Sequence, residues 1–182
     1  RKVLKPEQHV TKDRFVLAVV GRLSIEKGAD RALDVMHVLS QQRDDLKLVF
    51  IGDGPMRETL ELRTASLGLE QRVHFAGWQT DMSSWFDAMD LLLLPSRTEG
   101  LPNAVLEAMA HRVPVAATDV GEVRHVLNDG RCGLILPENP QDWPNVIQTF
   151  IDNPEQRNTC ITEASQRVRD HFDFAQRMRT IQ

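Results

Sequence analysis

What the chain lacks already narrows its class. It has no long hydrophobic run: Leu91 to Leu94, closed by Pro95, and Phe15 to Val20 both fall far short of the ~20 residues a membrane-spanning helix needs. It has no basic excess. A net charge of -4 over 182 residues gives no electrostatic case for nucleic acid, whose binding needs a dense basic face. It has little cysteine. Cys132 and Cys160 form no CxxC or Cys/His pattern, so they read as structural thiols of a reducing compartment, not as a metal site or a disulfide scaffold. There is no internal repeat and no low-complexity stretch. The polar residues 1–13, with Pro6 among them, carry no signal-peptide pattern and are expected to form a linker entering a domain. The start suggests an excised piece. The remaining length suits one domain with a substantial core and does not comfortably suit two.

Short apolar runs alternate with helical patterns. The candidate strands are Phe15–Val20, Leu46–Ile51, Val73–Phe75, Leu91–Leu94, Val115–Ala117 and Leu134–Leu136. Between them helices are expected near Ala29–Gln42, Met56–Leu67, Met82–Met89, Asn103–His111 and Glu122–Asn128. Ala29, Ala32, Leu33, Met36 and Leu39 mark the first helix, recurring at the spacing of one buried stripe. After Leu136, helices are expected over Gln141–Ile151, Glu155–Asp170 and Phe174–Ile181. Strands that are apolar throughout argue for a sheet covered on both faces. Alternation of such strands with helices predicts an α/β fold, a doubly wound parallel sheet of Rossmann-like type. Ligands of such folds sit beyond the carboxyl ends of the strands, so the chemistry belongs in the loops that follow them.

The first such loop runs from Gly21 through Arg22 and Lys27 to Gly28. A guanidinium and an ammonium before a helix start suit a diphosphate, and Gly21 and Gly28 permit close backbone approach. The same loop is also compatible with a solvated Glu26–Lys27 pair. The second loop, Gly52-Asp53-Gly54-Pro55, imitates a dinucleotide fingerprint. That motif wants a small residue where Arg57 stands and an acid about twenty residues on, where this chain has Arg72-Val73-His74. A tight turn with Pro55 opening the next helix is the expectation instead.

The loop after the fourth strand carries most. It reads from Pro95-Ser96-Arg97 through Glu99-Gly100-Leu101-Pro102-Asn103 to Glu107-Ala108-Met109-Ala110. Gly100 permits a turn, Pro102 suits a first helical turn, and the helix N-terminus offers a seat for phosphate oxygens. Glu107 lies about 7.5 Å along that helix at ~1.5 Å per residue, within reach of the vicinal hydroxyls of a ribose. Glu99, ahead of the helix, can do the same for a sugar. From spacing alone, both are equally compatible with solvated carboxylates. Paired carboxylates also occur in glycosidases, but those pairs are not normally tied to a phosphate-type helix start.

Taken in order, these landmarks carry a resemblance. Gly21-Arg22-Leu23 with Lys27-Gly28 comes first, then Gly52-Asp53-Gly54-Pro55, Val73 with Phe75 and Gly77, and Pro95-Ser96. Glu99 and Glu107 with seven residues between them, Ala108-Met109-Ala110 and Pro114-Val115 complete the series. The chain resembles the C-terminal, donor-binding domain of the GT-B-fold retaining glycosyltransferases of family 4, also called group 1. The resemblance covers roughly residues 14 to 180 and implies a nucleotide-sugar-binding domain over 14–182. It implies that Arg22 and Lys27 bind the donor diphosphate, Glu99 contacts the transferred sugar and Glu107 holds the ribose. Gly21 and the backbone of Gly100, Leu101, Pro102 and Asn103 would meet phosphate and sugar, while Trp78 and Gln79 would lie near the base. Two positions depart from the pattern. Arg112 stands where relatives commonly have glycine, and His125 where they often have glutamate.

The implied reaction transfers a sugar from a nucleoside diphosphate to an acceptor hydroxyl with retention, most in keeping with bacterial surface polysaccharide or glycolipid synthesis. The donor is a substrate, no other cofactor is implied, and no ligand cluster for a metal appears. The implied partner is an acceptor-binding N-terminal domain preceding this chain, without which transfer is expected to be negligible. Any membrane contact would be made through that half, in a cytoplasmic protein. A non-catalytic nucleotide-binding module, or a GT-B epimerase or phosphorylase domain, is the alternative.

Overall fold

The apolar runs assemble into one sheet. The computed structural model of the chain describes residues 14–172; the expected linker over 1–13 and the expected helix over 174–181 lie outside the described residues. The strands are β1 (Phe15–Val20), β2 (Leu46–Ile51), β3 (Val73–Gly77), β4 (Leu91–Leu94), β5 (Val115–Thr118) and β6 (Leu134–Leu136). Among the described residues these strands pair in parallel, in the order β3-β2-β1-β4-β5-β6. The strand sequence therefore reverses between β1 and β4, the crevice where doubly wound sheets bind ligands.

Burial on both faces explains the unbroken apolar strands. Side chains alternate across a strand, so Leu17 and Val19 enter one layer while Val16 and Ala18 enter the other. The first layer is closed by α1 (Ala29–Ser40), α2 (Arg57–Ser66) and α6 (Trp143–Asp152), through residues such as Met36, Leu60 and Phe150. The second is closed by α3 (Met82–Ala88), α4 (Asn103–Ala110) and α5 (Val123–Val126), through Phe86, Val105 and Val126. The last helix among the described residues, α7 (Pro154–His171), reaches both: Cys160 belongs to the first layer and Ala164 to the second. Each fully buried aliphatic side chain stabilises the fold by roughly 1.5–3 kcal/mol against leaving it exposed.

Several boundaries differ from the sequence expectation. The helix expected from Met56 starts at Arg57, with Met56 as its N-cap, so Pro55 lies in the turn ahead of it. The helix expected over Glu122–Asn128 stops at Val126, because Asn128 and Asp129 turn left-handed with φ 50 and 55. A 3-10 turn over Pro140–Asp142 precedes α6. Arg112 adopts φ 61, the left-handed conformation that makes glycine the easier residue there.

Candidate functional site

The loops after β1 and β4 meet because their strands are neighbours. Gly28, left-handed at φ 68, caps α1 against the end of β4, where a side-chain carbon on it would stand 2.1 Å from the Pro95 carbonyl oxygen. Only glycine permits that approach. Immediately before it, the Lys27 ammonium spans both Glu99 oxygens, at 2.8 and 2.7 Å. Glu99 is nearly sealed from solvent at 6% side-chain exposure, against 37% for Lys27. The Ser96 hydroxyl donates a third bond to Glu99 at 2.7 Å. Ser96 is itself buried, and its carbonyl accepts from the Thr118 hydroxyl at 2.7 Å.

The alternative Glu26–Lys27 pair does not form. Glu26 instead accepts from the Ser24 hydroxyl, which holds its carboxyl below the usual range, with a smaller contribution from nearby Arg22. An ammonium has three N–H donors. Glu99 occupies two of those on Lys27, which leaves one for a further anion.

The glycines that imitate a dinucleotide motif brace this site. A side-chain carbon on Gly52 would stand 1.9 Å from the Gly21 carbonyl oxygen, and one on Gly54 2.4 Å from that of Leu23. Leu23 donates to the Asp53 carbonyl and receives the Met56 N–H, both at 3.0 Å. The second loop is thus the seat of the first. Arg22 is exposed on that seat and makes no hydrogen bond or ion pair among the described residues.

On the other side of the crevice, Pro102 is the N-cap of α4 and Asn103 its first residue. Among the described residues the N–H groups of Gly100 and Leu101 donate to no acceptor within the protein, and both residues are exposed. Gly100 turns without positive φ and with open space around it, so the conformational demand expected there falls elsewhere. Gly121, at φ 55, takes it: a side-chain carbon on it would stand 2.1 Å from the Glu99 carbonyl oxygen. Glu107 is exposed on α4, farther along the same helix. Trp78 and Gln79 follow β3, two strands from β1 and so about 10 Å away across the sheet. Trp78 is 72% exposed, whereas the buried Gln79 donates its amide to the Ala76 carbonyl at 2.7 Å. The structure therefore joins Lys27 to Glu99 on the loop that leads into α4, leaves Arg22 exposed on the loop of Lys27, and sets Trp78 and Gln79 apart.

Sequence reasoning gave no role to Ser96, Thr118, Gly121 or Arg97. Ser96, a hydroxyl three residues before Glu99, was the one visible signal. Arg97 joins the two loops through Ile25, Glu26 and Asp30, and its hydrogen bonds hold the Asp30 carboxyl below the usual range, with burial opposing. Beside the pair, a cavity of about 720 Å³ opens between α1, α6 and the ends of β4, β5 and β6. Ser96 and Arg97 line it, but Arg22, Lys27, Glu99 and Glu107 do not. Burial pushes both cysteine thiols up. Among the described residues no helix is long and apolar enough to cross a membrane, and no group of three or more His, Cys, Asp and Glu is placed to hold a metal.

Fold and site together define a doubly wound, Rossmann-like domain with its polar centre at the strand reversal. The chain belongs to the glycosyl transferases of group 1, whose family model matches residues 1–167, and its sheet is that of the C-terminal domains of GT-B proteins. It is 31% identical over 162 residues to an alpha-D-kanosaminyltransferase of Streptomyces kanamyceticus, covering 87% of this chain and 42% of that protein. It is 32% identical over 169 residues to the lipopolysaccharide core biosynthesis mannosyltransferase LpsB of Rhizobium meliloti, covering 88% and 48%. The crystal structure of Anabaena HepE in complex with UDP superposes with a TM-score of 0.83 at 27% identity, covering 93% of this chain and 48% of that one. The chain thus spans less than half the length of these relatives.

Proposed function

We propose that residues 14–182 form the donor-binding domain of a family 4 retaining glycosyltransferase, entered through the linker at 1–13. The observation that carries this reading is the Lys27–Glu99 pair at the crossover of β1 and β4. It sets a cation with one free donor beside a buried carboxylate, at the mouth of α4. Arg22 and Lys27 hold the diphosphate of a nucleotide sugar, and the Gly100 and Leu101 amides with the start of α4 add to the positive field. Pro102 and Asn103 shape that end of the crevice, and Gly21 lets the backbone pass close to the phosphates. Glu99 accepts from the hydroxyls of the transferred sugar, Glu107 from those of the ribose. Trp78 offers an exposed ring to the base. Gln79, tied to the Ala76 carbonyl, meets the base through its backbone.

Catalysis in this reading is electrostatic. As the bond from the sugar to the diphosphate breaks, the two cations stabilise the negative charge that develops on the departing phosphate oxygen. The acceptor oxygen bonds to the anomeric carbon from the same side, and its proton passes to that phosphate oxygen. No protein nucleophile is called for. The acceptor comes from a second domain outside this chain, so this chain binds donor and transfers negligibly by itself. The whole enzyme acts in the cytoplasm on bacterial surface polysaccharide or glycolipid, a reading supported by LpsB among the relatives.

Calorimetry of the chain with uridine, guanosine and adenosine diphosphates tests the reading, UDP first because HepE holds it. Binding of at least one is expected; no heat from any of them would overturn the reading. In the full-length protein Glu99→Gln should abolish most transfer, and unimpaired transfer would favour a non-catalytic binding module.

A further inference from the structure

Lys27 and Glu99 sit on different loops, and their own ion pair is poorly suited to hold those loops together. A lysine contributes a point charge on a flexible stem, this one is more than a third exposed, and a bound diphosphate would compete for it. Something else must fix the spacing.

We propose that Arg97 is a positioning residue of the donor site, one that holds the loop of Lys27 against the loop of Glu99; the role rests on the donor reading above. Four bonds from this one residue carry the inference. Its backbone N–H donates to the Glu26 carbonyl at 2.7 Å. Its guanidinium donates to the Ile25 carbonyl at 2.6 Å and to the two Asp30 oxygens at 2.8 and 2.7 Å. Arg97 therefore grips the chain on both sides of Lys27, while Glu99 lies two residues along its own loop. The fork of an arginine fixes orientation as well as distance, which a single ammonium cannot do.

The neighbouring residues complete the frame. Asp30 lies in the first turn of α1, where a carboxylate also complements the helix dipole. Gly28 rests on Pro95, and Ser96 fixes the Glu99 carboxylate from below. The Arg97–Asp30 side chains are 34% and 23% exposed, so solvent screens the pair and its contribution is chiefly geometric. Without it, Lys27 keeps its charge and loses its direction.

The test is a double-mutant cycle on UDP affinity, measured by calorimetry with Arg97→Ala, Lys27→Ala and the double variant of the chain. Arg97→Ala should weaken UDP about tenfold and leave uridine within about twofold, and Lys27→Ala should then cost far less than it does in the wild type. Losses that multiply independently would overturn the proposal, as would equal weakening of UDP and uridine. Arg97→Lys should recover only part of the affinity, because one ammonium does not reproduce the two-nitrogen fork that holds the Ile25 carbonyl and both Asp30 oxygens in a fixed orientation; full recovery would reduce the role to charge and also overturn it. Crystal structures of the wild type and Arg97→Ala give a readout without nucleotide. Lys27 departing from Glu99 in the variant supports the clasp, and an unchanged pair refutes it. If the wild type binds no diphosphate, the donor reading fails and those structures still decide the clasp.

Discussion

Gly121 and Glu99 are fitted backbone to backbone: a side-chain carbon on the glycine would stand 2.1 Å from the glutamate's carbonyl oxygen. The same glycine is left-handed, at φ 55. A methyl group there must displace the backbone that aims the buried carboxylate. Gly121→Ala is expected to destabilise the domain by about 1–3 kcal/mol in urea unfolding. It should also weaken a nucleotide sugar more than the matching nucleoside diphosphate, since Glu99 is assigned to the sugar. An equal loss for both ligands would argue against that assignment.

Lys27→Ala should separate the parts of the donor differently. Removing the ammonium should weaken a nucleoside diphosphate by about tenfold or more, while a free nucleoside is barely affected, because the lost bond is charge-assisted. Titrations of the two ligands into wild type and variant measure the difference. Similar losses for both would remove Lys27 from the diphosphate.

Arg112 offers a test of stability away from the site. Left-handed backbone costs an L-residue roughly 1–2 kcal/mol, and glycine gives back about 0.5–1 kcal/mol through the greater freedom of the unfolded chain. The first term is larger. Arg112→Gly should therefore stabilise the domain by about 0.5–1 kcal/mol in urea denaturation, with nucleotide binding unchanged. A destabilised variant would mean that the arginine side chain makes up for its backbone strain.

Asp30 carries a pH signature. Its carboxyl is held low by Arg97, so the native state prefers the ionised form. That preference contributes stability above the unfolded carboxyl value near 3.9, and the contribution is lost as pH falls through the lower folded value. Asp30→Asn should be less stable than wild type at neutral pH, with the two converging below about pH 4. Urea midpoints measured across that range check this. A gap that persists undiminished in acid would show that the ion pair is not its source.

The sheet was legible in the sequence because both its faces are buried. Leu91 to Leu94 have no polar member to confuse the period, and all four are buried. The helix ends were harder. Asn128 and Asp129 are of the types that tolerate left-handed backbone, yet apolar periodicity carried the expected helix to Asn128, and the two left-handed residues cut it short. Lys27 and Glu99 were each visible as candidates, but their bond joins residues 72 apart, and it depends on a strand order that periodicity does not contain. The Gly52 loop shows the converse. Its glycines looked like a ligand motif and proved to serve the neighbouring loop, because a close approach leaves the same residue type whether the approaching group is a phosphate or a carbonyl. The contact of Gly121 with Glu99 appears only in three dimensions.

The helix α7 touches both hydrophobic layers, through Cys160 on one side and Ala164 on the other, and Phe172 just after it joins the second. Because α7 follows all six strands in the chain, its share of both layers is added only after the whole sheet has been synthesised. Partial products ending before Pro154 would expose apolar surface on two faces, which makes them targets for chaperones and proteases while the finished domain is not.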